Sequence, residues 1–286
     1  MKLKFAGIRR KEIYSPNHIT NDSIILQLTG EVLMDYGHDV ELYDEDFIES
    51  NDIDETYIFT MAQGLQGLLR LKTLEEQGRF LINKPSGALN TYRIDMIRIL
   101  TNAGIPFPKS IVVGNVKAAV KSFDEFNTNQ LWIKRGDVHA EHREDVTLIS
   151  SKGELCVMLE EFAKRNIKQI VLQEHLPGNT IKFYGVLGTE FFRWNQTDGD
   201  RVIQYDINEI RRLAFLAAKA LGVDVFGGDV IVSPDGTITV IDINDWPSFA
   251  PVREEAAKNI GLIINKKALE YEKQQIKENQ VRIYSN

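Results

Sequence analysis

The sequence predicts an α/β protein with three parts: a small parallel sheet at the N-terminus, a compact α+β segment in the middle, and a C-terminal part holding an antiparallel strand pair. Three observations carry this. Apolar runs alternate with helix-spaced stretches over residues 1–82, the pattern of strand–helix units whose strands lie parallel. After Pro85 the alternation gives way to short strands mixed with helices as far as Glu174. Further on, two strand-like runs are joined by Pro234-Asp235-Gly236, a turn signal.

Residues 3–8 form an apolar run suited to a buried strand, followed by a polar loop over 9–21. Ile24, Ile25, Leu28, Val32 and Leu33 recur at helical spacing, with Asp22 as the expected N-cap and Gly37 as the stop before a strand at 39–42. A strand at 57–61, a helix at 65–77 and a strand at 80–82 repeat the unit. Ligands of parallel sheets sit beyond the carboxyl ends of the strands, so the loops 9–21 and 61–64 are candidate substrate walls, with Ser15, Pro16, Asn17, His18, Gly64 and Gly67 in or beside them. The expected organisation is an N-terminal domain over 1–86, a lid with its connecting helix over 87–174, and a C-terminal subdomain over 175–286. In the lid, a helix at 91–102 precedes strands near 110, 131–134, 147–149 and 169–174; Cys156, beside Leu155 and Leu159, is expected to be a buried small hydrophobe. The last part holds strands at 181–187 and 191–195, a helix at 207–221, the strands 227–233 and 237–244, and a polar helical tail after Ile264.

At 286 residues the chain is long enough for two or three subdomains with a cleft between them. Apolar residues make up 43% and charged residues 26%, a globular composition. With 34 Lys and Arg against 41 Asp and Glu, the net charge of −7 and the lack of long basic runs argue against a nucleic-acid partner. One cysteine rules out an internal disulfide framework, and the first residues lack the apolar core of a signal peptide. No stretch approaches the ~18 apolar residues of a membrane span. The expected location is the cytoplasm, with no membrane partner and a homodimer as the default assembly.

The segment richest in chemistry is Gly227-Gly228-Asp229-Val230-Ile231-Val232, followed across the turn by Val240-Ile241-Asp242-Ile243-Asn244. Asp242 and Asn244 are two apart and share a strand face. A two-residue turn at Pro234-Asp235 sets Asp229 opposite Val240 and diagonal to Asp242, whereas a three-residue turn with no bulge breaks the alignment. Two carboxylates and an amide are hard oxygen donors suited to Mg²⁺. The competing reading makes Asp242 and Asn244 the start of a loop; Asp229, between two glycines and an apolar strand, resists it, because an unpaired buried carboxylate is costly.

The helix 210–222, the Gly-Gly-Asp strand and Val240-Ile241-Asp242-Ile243-Asn244-Asp245-Trp246-Pro247 resemble the C-terminal metal site of the ATP-grasp superfamily. Upstream, Asn83-Lys84-Pro85, Ala103-Gly104-Ile105-Pro106-Phe107-Pro108, Trp132-Ile133-Lys134 and Val171-Leu172-Gln173-Glu174-His175-Leu176 follow in the superfamily's order, over nearly the whole chain. The nearest flavour is the glutathione-synthetase and ribosomal-protein glutamate ligase branch, and the N-terminal sheet then corresponds to the pre-ATP-grasp domain. The resemblance implies ATP and Mg²⁺ as cofactors, Asp229, Asp242 and Asn244 as metal ligands, and Arg93, Lys134 and Lys182 as cofactor-binding cations. It implies Gln173, Glu174 and Leu176 as the segment that reads the adenine edge. Asp242 stands where Glu is commoner, and Arg93 where the pattern usually has lysine; arginine forks onto phosphate, lysine does not. The loop after Lys134, with His139, His142 and Arg143, departs from the family's glycine-rich loop; these residues are read as clamping an anion or moving protons, with a solvated turn as the rival. Arg193 is placed near the transferred phosphoryl group, its rival being a surface arginine stacked on Trp194. Trp246 and Phe249 read as core or cleft wall, and Pro247-Ser248 as a border of the acceptor site.

The implied chemistry activates a small anionic carboxylate as an acyl phosphate, which a nucleophilic acceptor such as an amine then captures. A kinase of the inositol-phosphate type on the same scaffold and a nucleotide-binding module without catalysis remain open alternatives. A Rossmann-type oxidoreductase fits the N-terminal pattern alone, and no G-x-G-x-x-G follows the first strand.

Overall fold

The computed structural model describes residues 1–14, 19–136, 143–199 and 203–284. Three four-stranded sheets form the framework. The first contains β1 (Lys4–Arg9), β2 (Asp39–Asp44), β3 (Tyr57–Thr60) and β4 (Phe80–Ile82), in the order β2-β1-β3-β4 with every pair parallel. Its helices are α1 (Ile19–Asp35), α2 (Glu45–Ser50) and α3 (Leu65–Glu76). Asp22 lies inside α1 rather than capping it, because its carboxylate is drawn to Arg10 at 2.8 Å, both side chains nearly buried. The short α2 follows a strand with no apolar helical period of its own, and its one strong anchor is Ile48.

Two helices, α4 (Pro85–Asn90) and α5 (Arg93–Asn102), lead into the lid. Pro85 opens α4 at its first turn, where the missing N–H costs nothing. The lid sheet has β5 (Ser110–Val113), β6 (Leu131–Arg135), β7 (Val146–Ile149) and β8 (Ile170–Glu174) in the antiparallel order β5-β8-β6-β7, with α6 (Val116–Ser122) and α7 (Lys152–Lys164). Cys156 is exposed, contrary to expectation. The buried face of α7 is set by Leu155, Leu159 and Phe162, and the residue after Leu155 is turned about 100° away from it.

The third sheet holds β9 (Asn179–Val186), β10 (Phe192–Asp198), β11 (Val225–Val232) and β12 (Ile238–Asp245), antiparallel in the order β10-β9-β11-β12. Helix α8 (Ile207–Leu221) packs Ile210, Leu213, Ala214, Ala217 and Leu221 under it and ends at Gly222, whose φ of 79° is easily held only without a Cβ. The edge strand β12 is covered from outside: Val240 N–H donates to Pro106 O at 3.0 Å, and Met96 of α5 lies against Ile243.

The long helix α9 (Arg253–Tyr284) returns to the first sheet, where Ile260, Ile264 and Ala268 bury with Phe5, Leu26 and Leu33. That core also takes in Tyr184, Val186 and Val225 of the third sheet, so the first and third sheets are joined through one apolar body. The lid has a core around Phe123, Phe126, Leu155, Leu159 and Phe162 built from lid residues alone, whereas the first and third sheets contribute to one body. It therefore turns as a unit more cheaply than the other two part.

Candidate active site

Asp229 and Asp242 are direct cross-strand partners. The turn is of three residues, Pro234 to Gly236, with Ser233 N–H bonded to Thr237 O, and Val232, Ile231 and Val230 pair with Ile238, Thr239 and Val240. A bulge then leaves Ile241 without a partner and shifts the register by one. The expected partner of Asp229, Val240, is thus replaced by Asp242, and both carboxylates point from one face, which Asn244 shares. Asn244 Nδ2 lies 3.2 Å from Asp242 Oδ2. Gly228 makes the register possible, since a Cβ there would run into the Asp242 carbonyl oxygen.

Lys182 of β9 stands opposite Asp229, its Nζ 3.4 Å from Oδ2, so the row Lys182, Asp229, Asp242 crosses three strands. Burial pushes the Asp229 carboxyl above its ordinary pKa, Asp242 adds to the shift, and Lys182 opposes it. Burial also works against the Lys182 ammonium, but Asp229, Tyr184 and Asp242 outweigh it and hold its pKa up. Both directions stand together because two carboxylates share one adjacent ammonium.

From the lid side come Lys134, on β6, and Arg93, at the first turn of α5. Burial, then Arg93, pull the Lys134 pKa down to about 8, against the attraction of Asp242 and Asp229. Burial lowers Arg93 as well, opposed by Asp242 and Asp145, and its guanidinium bonds the Arg135 carbonyl oxygen. Lys134 Nζ donates to Gln173 Oε1 at 2.5 Å. Gln173 is buried, and the Glu174 and His175 N–H groups are spent on Lys109 O and Gln130 O. The Leu176 N–H takes no partner among the described residues, so this part of the segment keeps a main-chain donor.

Arg193 shares the sheet face of Lys182 and Tyr184, since it pairs with Tyr184 across β10 and β9. Its guanidinium bonds both carboxylate oxygens of Glu255 at the start of α9 and lies 5.5 Å from the Phe191 ring centre, so the ring it meets is Phe191 and not Trp194, the partner in the rival reading. His139 and His142 lie outside the described residues, as do Ser15 to His18. Arg143 begins a short turn of helix at 143–145, and its side chain is outside the description.

The wall from the first sheet holds Arg10 and Glu45, which the sequence did not single out, and Asn83, which it marked only as part of Asn83-Lys84-Pro85. Arg10, just past β1, bonds Asp22, the Met61 carbonyl at 3.2 Å, and the Asp245 and Trp246 carbonyls at 3.1 and 2.9 Å, pinning the chain immediately after Asn244. Asn83 accepts from the Asp224 and Val225 N–H groups at 2.8 and 2.9 Å and donates to Val225 O and to Asp245. Burial raises the Asp245 pKa to about 6, with Asn83 and Arg10 opposing. Glu45, buried, accepts from the Lys11, Gln63 and Gly64 N–H groups, and a Cβ at Gly64 or Gly67 would meet its carboxylate. The available signal was position: Arg10 and Asn83 follow parallel strands at their carboxyl ends. Trp246 and Phe249 are fully buried with φ of 38° and 49°, so this turn is held by its surroundings.

The donor set suits magnesium: two carboxylates and one amide, with remaining positions left for phosphate oxygens and water. Among the described residues no three His, Cys, Asp or Glu side chains make a metal cluster by themselves. No helix among the described residues is long and apolar enough to cross a membrane.

A parallel entry sheet, an antiparallel lid and an antiparallel acidic sheet approached by lid cations together make this an ATP-grasp fold. No family model matches the sequence. The chain is similar to the tetrahydromethanopterin:alpha-L-glutamate ligase of Methanocaldococcus jannaschii, 25% identical over an alignment of 239 residues that covers 75% of this chain and 79% of that one. It superposes on the RimK domain ATP-grasp protein of Sphaerobacter thermophilus with a TM-score of 0.71 and 16% identity, over 91% and 99% of the two chains. On the D-alanine–D-alanine ligase of Bacillus anthracis complexed with ATP the TM-score is 0.70 at 15% identity, over 96% and 99%.

Proposed function

We propose that this protein is an ATP- and magnesium-dependent ligase that joins a carboxylate to the amine of an amino acid through an acyl phosphate. The observation that carries the reading is the row of Asp229 and Asp242, with Asn244, on the cleft face that Lys134 and Arg93 enter from the other side. The relatives named for their substrates, a glutamate ligase and D-alanine–D-alanine ligases, favour an amino acid as one partner.

Lys134 and Arg93 bind the nucleotide phosphates, and Lys182 keeps Asp229 ionised and aimed. Asp229, Asp242 and Asn244 would hold magnesium, which when bound offsets charge on the phosphoryl oxygens. The Leu176 N–H and the Glu174 main chain meet the adenine edge. Arg193 is assigned to the transferred phosphoryl group, and His139 and Arg143 to holding an anion or moving protons. A carboxylate oxygen attacks the γ-phosphorus as its bond to ADP breaks; the amine nitrogen then attacks the acyl carbon, phosphate leaves, and the amine gives up a proton. Positioned charge in a closed cleft supplies most of the acceleration. A need for ATP is consistent with work in the cytoplasm.

The test uses ¹⁸O-labelled carboxylates with Mg-ATP and a panel of amino acids. Inorganic phosphate carrying one ¹⁸O together with ADP supports the reading. A phosphorylated hydroxyl, or ATP binding with no ADP from any mixture, overturns it in favour of a kinase or a binding module.

A further inference from the structure

Across the lid sheet, Ser110 of β5 stands directly opposite Gln173 of β8, and Gln173 directly opposite Trp132 of β6. Lys134, two residues beyond Trp132, lies on the same face and diagonal to Gln173. The side chains form a bonded row: Lys134 Nζ to Gln173 Oε1 at 2.5 Å, Gln173 Nε2 to Ser110 Oγ at 2.9 Å, and Ser110 Oγ to the Pro108 carbonyl at 2.9 Å.

The row has a direction, set by which groups carry hydrogens. A carbonyl oxygen only accepts, so Ser110 gives its single hydroxyl hydrogen to Pro108. Its oxygen then has only lone pairs for Gln173, which must present the NH₂ side of its amide. The amide oxygen is thereby forced towards Lys134, where an ammonium needs an acceptor. Turned the other way, the amide would set its oxygen against a hydroxyl oxygen with no hydrogen to give and its NH₂ against the ammonium, acceptor against acceptor at one end and donor against donor at the other. Gln173 is buried, so water does not make up the loss.

We propose that Ser110 is a positioning residue for nucleotide binding: by fixing the orientation of the Gln173 amide it holds the Lys134 ammonium in one place at the phosphate side of the cleft. This rests on the ATP reading above. The anchor of the row lies in the linker between α5 and β5, whose Pro106 carbonyl accepts the Val240 N–H of the metal-bearing strand β12. The linker thus touches both walls of the cleft, and the Lys134 position is referenced to the sheet that carries Asp242.

The isosteric pair Ser110→Thr and Ser110→Val isolates the hydroxyl, since threonine keeps it and valine does not. Two readouts are taken on full-length protein. In the absence of nucleotide, the ¹³Cε shift of Lys134, assigned with Lys134→Arg, is followed against pH. The valine variant titrates lower by about half a pH unit, having lost its fixed acceptor, while the threonine variant follows wild type. By calorimetry, Mg-ATP binds the valine variant about fivefold more weakly and the threonine variant within twofold of wild type. Equal Lys134 titrations in the two variants overturn the proposal whether or not ATP binds. Equal weakening of ATP binding by threonine and valine also overturns it, because the hydroxyl is then not responsible. A shifted titration in a protein whose wild type binds no ATP leaves the hydroxyl's hold on Lys134 standing and removes the nucleotide reading instead.

Discussion

Asp229 and Asp242 face one another directly across β11 and β12, because the unpaired Ile241 moves the register by one residue after a three-residue turn. Two half-buried carboxylates set side by side oppose folding, yet their surroundings keep them there: Lys182 on the neighbouring strand β9, and Gly228 within β11, where a Cβ would meet the Asp242 carbonyl. An arrangement that costs stability and gathers oxygen donors belongs to function.

Neutralising either carboxylate should therefore separate activity from stability. Asp229→Asn or Asp242→Asn lowers Mg-dependent ADP formation by about 10²-fold or more, with the metal no longer held. For Asp242→Asn the melting temperature stays level or rises, since a buried like-charge contact is removed, whereas Asp229→Asn also loses its ion pair with Lys182 and gains less. Steady-state kinetics over a magnesium series, beside thermal melts, checks both halves. A loss of stability matching the loss of activity contradicts the account.

Lys134 gives a pH dependence whose sign is fixed. Its pKa falls from 10.5 to about 8 on folding, so between these values the native chain binds fewer protons than the unfolded one, and stability rises with pH across that window. Nucleotide binding runs the other way, because the grip on phosphate needs the ammonium that is lost above about pH 8. The Mg-ATP dissociation constant should rise between pH 7 and 9.5, and Lys134→Arg should flatten the rise. Calorimetry across that range decides it.

Removal of Arg10 tests the joint between the first sheet and the metal strand. The Arg10–Asp22 pair is nearly buried, and Arg10→Ala takes the guanidinium away from that carboxylate and from the Met61, Asp245 and Trp246 carbonyls. The expected cost is about 3–5 kcal/mol in denaturant unfolding. A cost below about 1 kcal/mol would mean that water replaces the guanidinium.

Gly228→Ala should cost about 1–3 kcal/mol and abolish ADP formation together, because the added methyl drives into the Asp242 carbonyl and undoes the bulge. By contrast, Arg193→Gln breaks an exposed pair with Glu255, which is worth about 1 kcal/mol at most. Its turnover should fall tenfold or more with the melting temperature nearly unchanged.

Much of the architecture was legible in order along the chain. Apolar alternation located the parallel strands, and the Gly-Gly-Asp strand with Asp242 and Asn244 was singled out by residue type and two-residue spacing. Short elements without a period of their own, α2 and α4, left no such trace. Cys156 was misjudged because adjacency to Leu155 looks like a shared face until the helix phase is fixed by Leu159 and Phe162. Asp22 has the chemistry of an N-cap, but a buried arginine from another element outbid the local amides.

By itself the sequence determined which oxygen donors and cations this protein has, and that Asp242 and Asn244 share a face, because strand geometry repeats every two residues. Only the tertiary structure decided which residue faces Asp229, since a bulge at Ile241 depends on how β12 is held by Pro106 and Met96 from outside the sheet. It alone also brought Arg10, Asn83 and Ser110 to the site: their partners lie on other elements, and no local pattern encodes a contact that exists only once separate strands have been laid side by side.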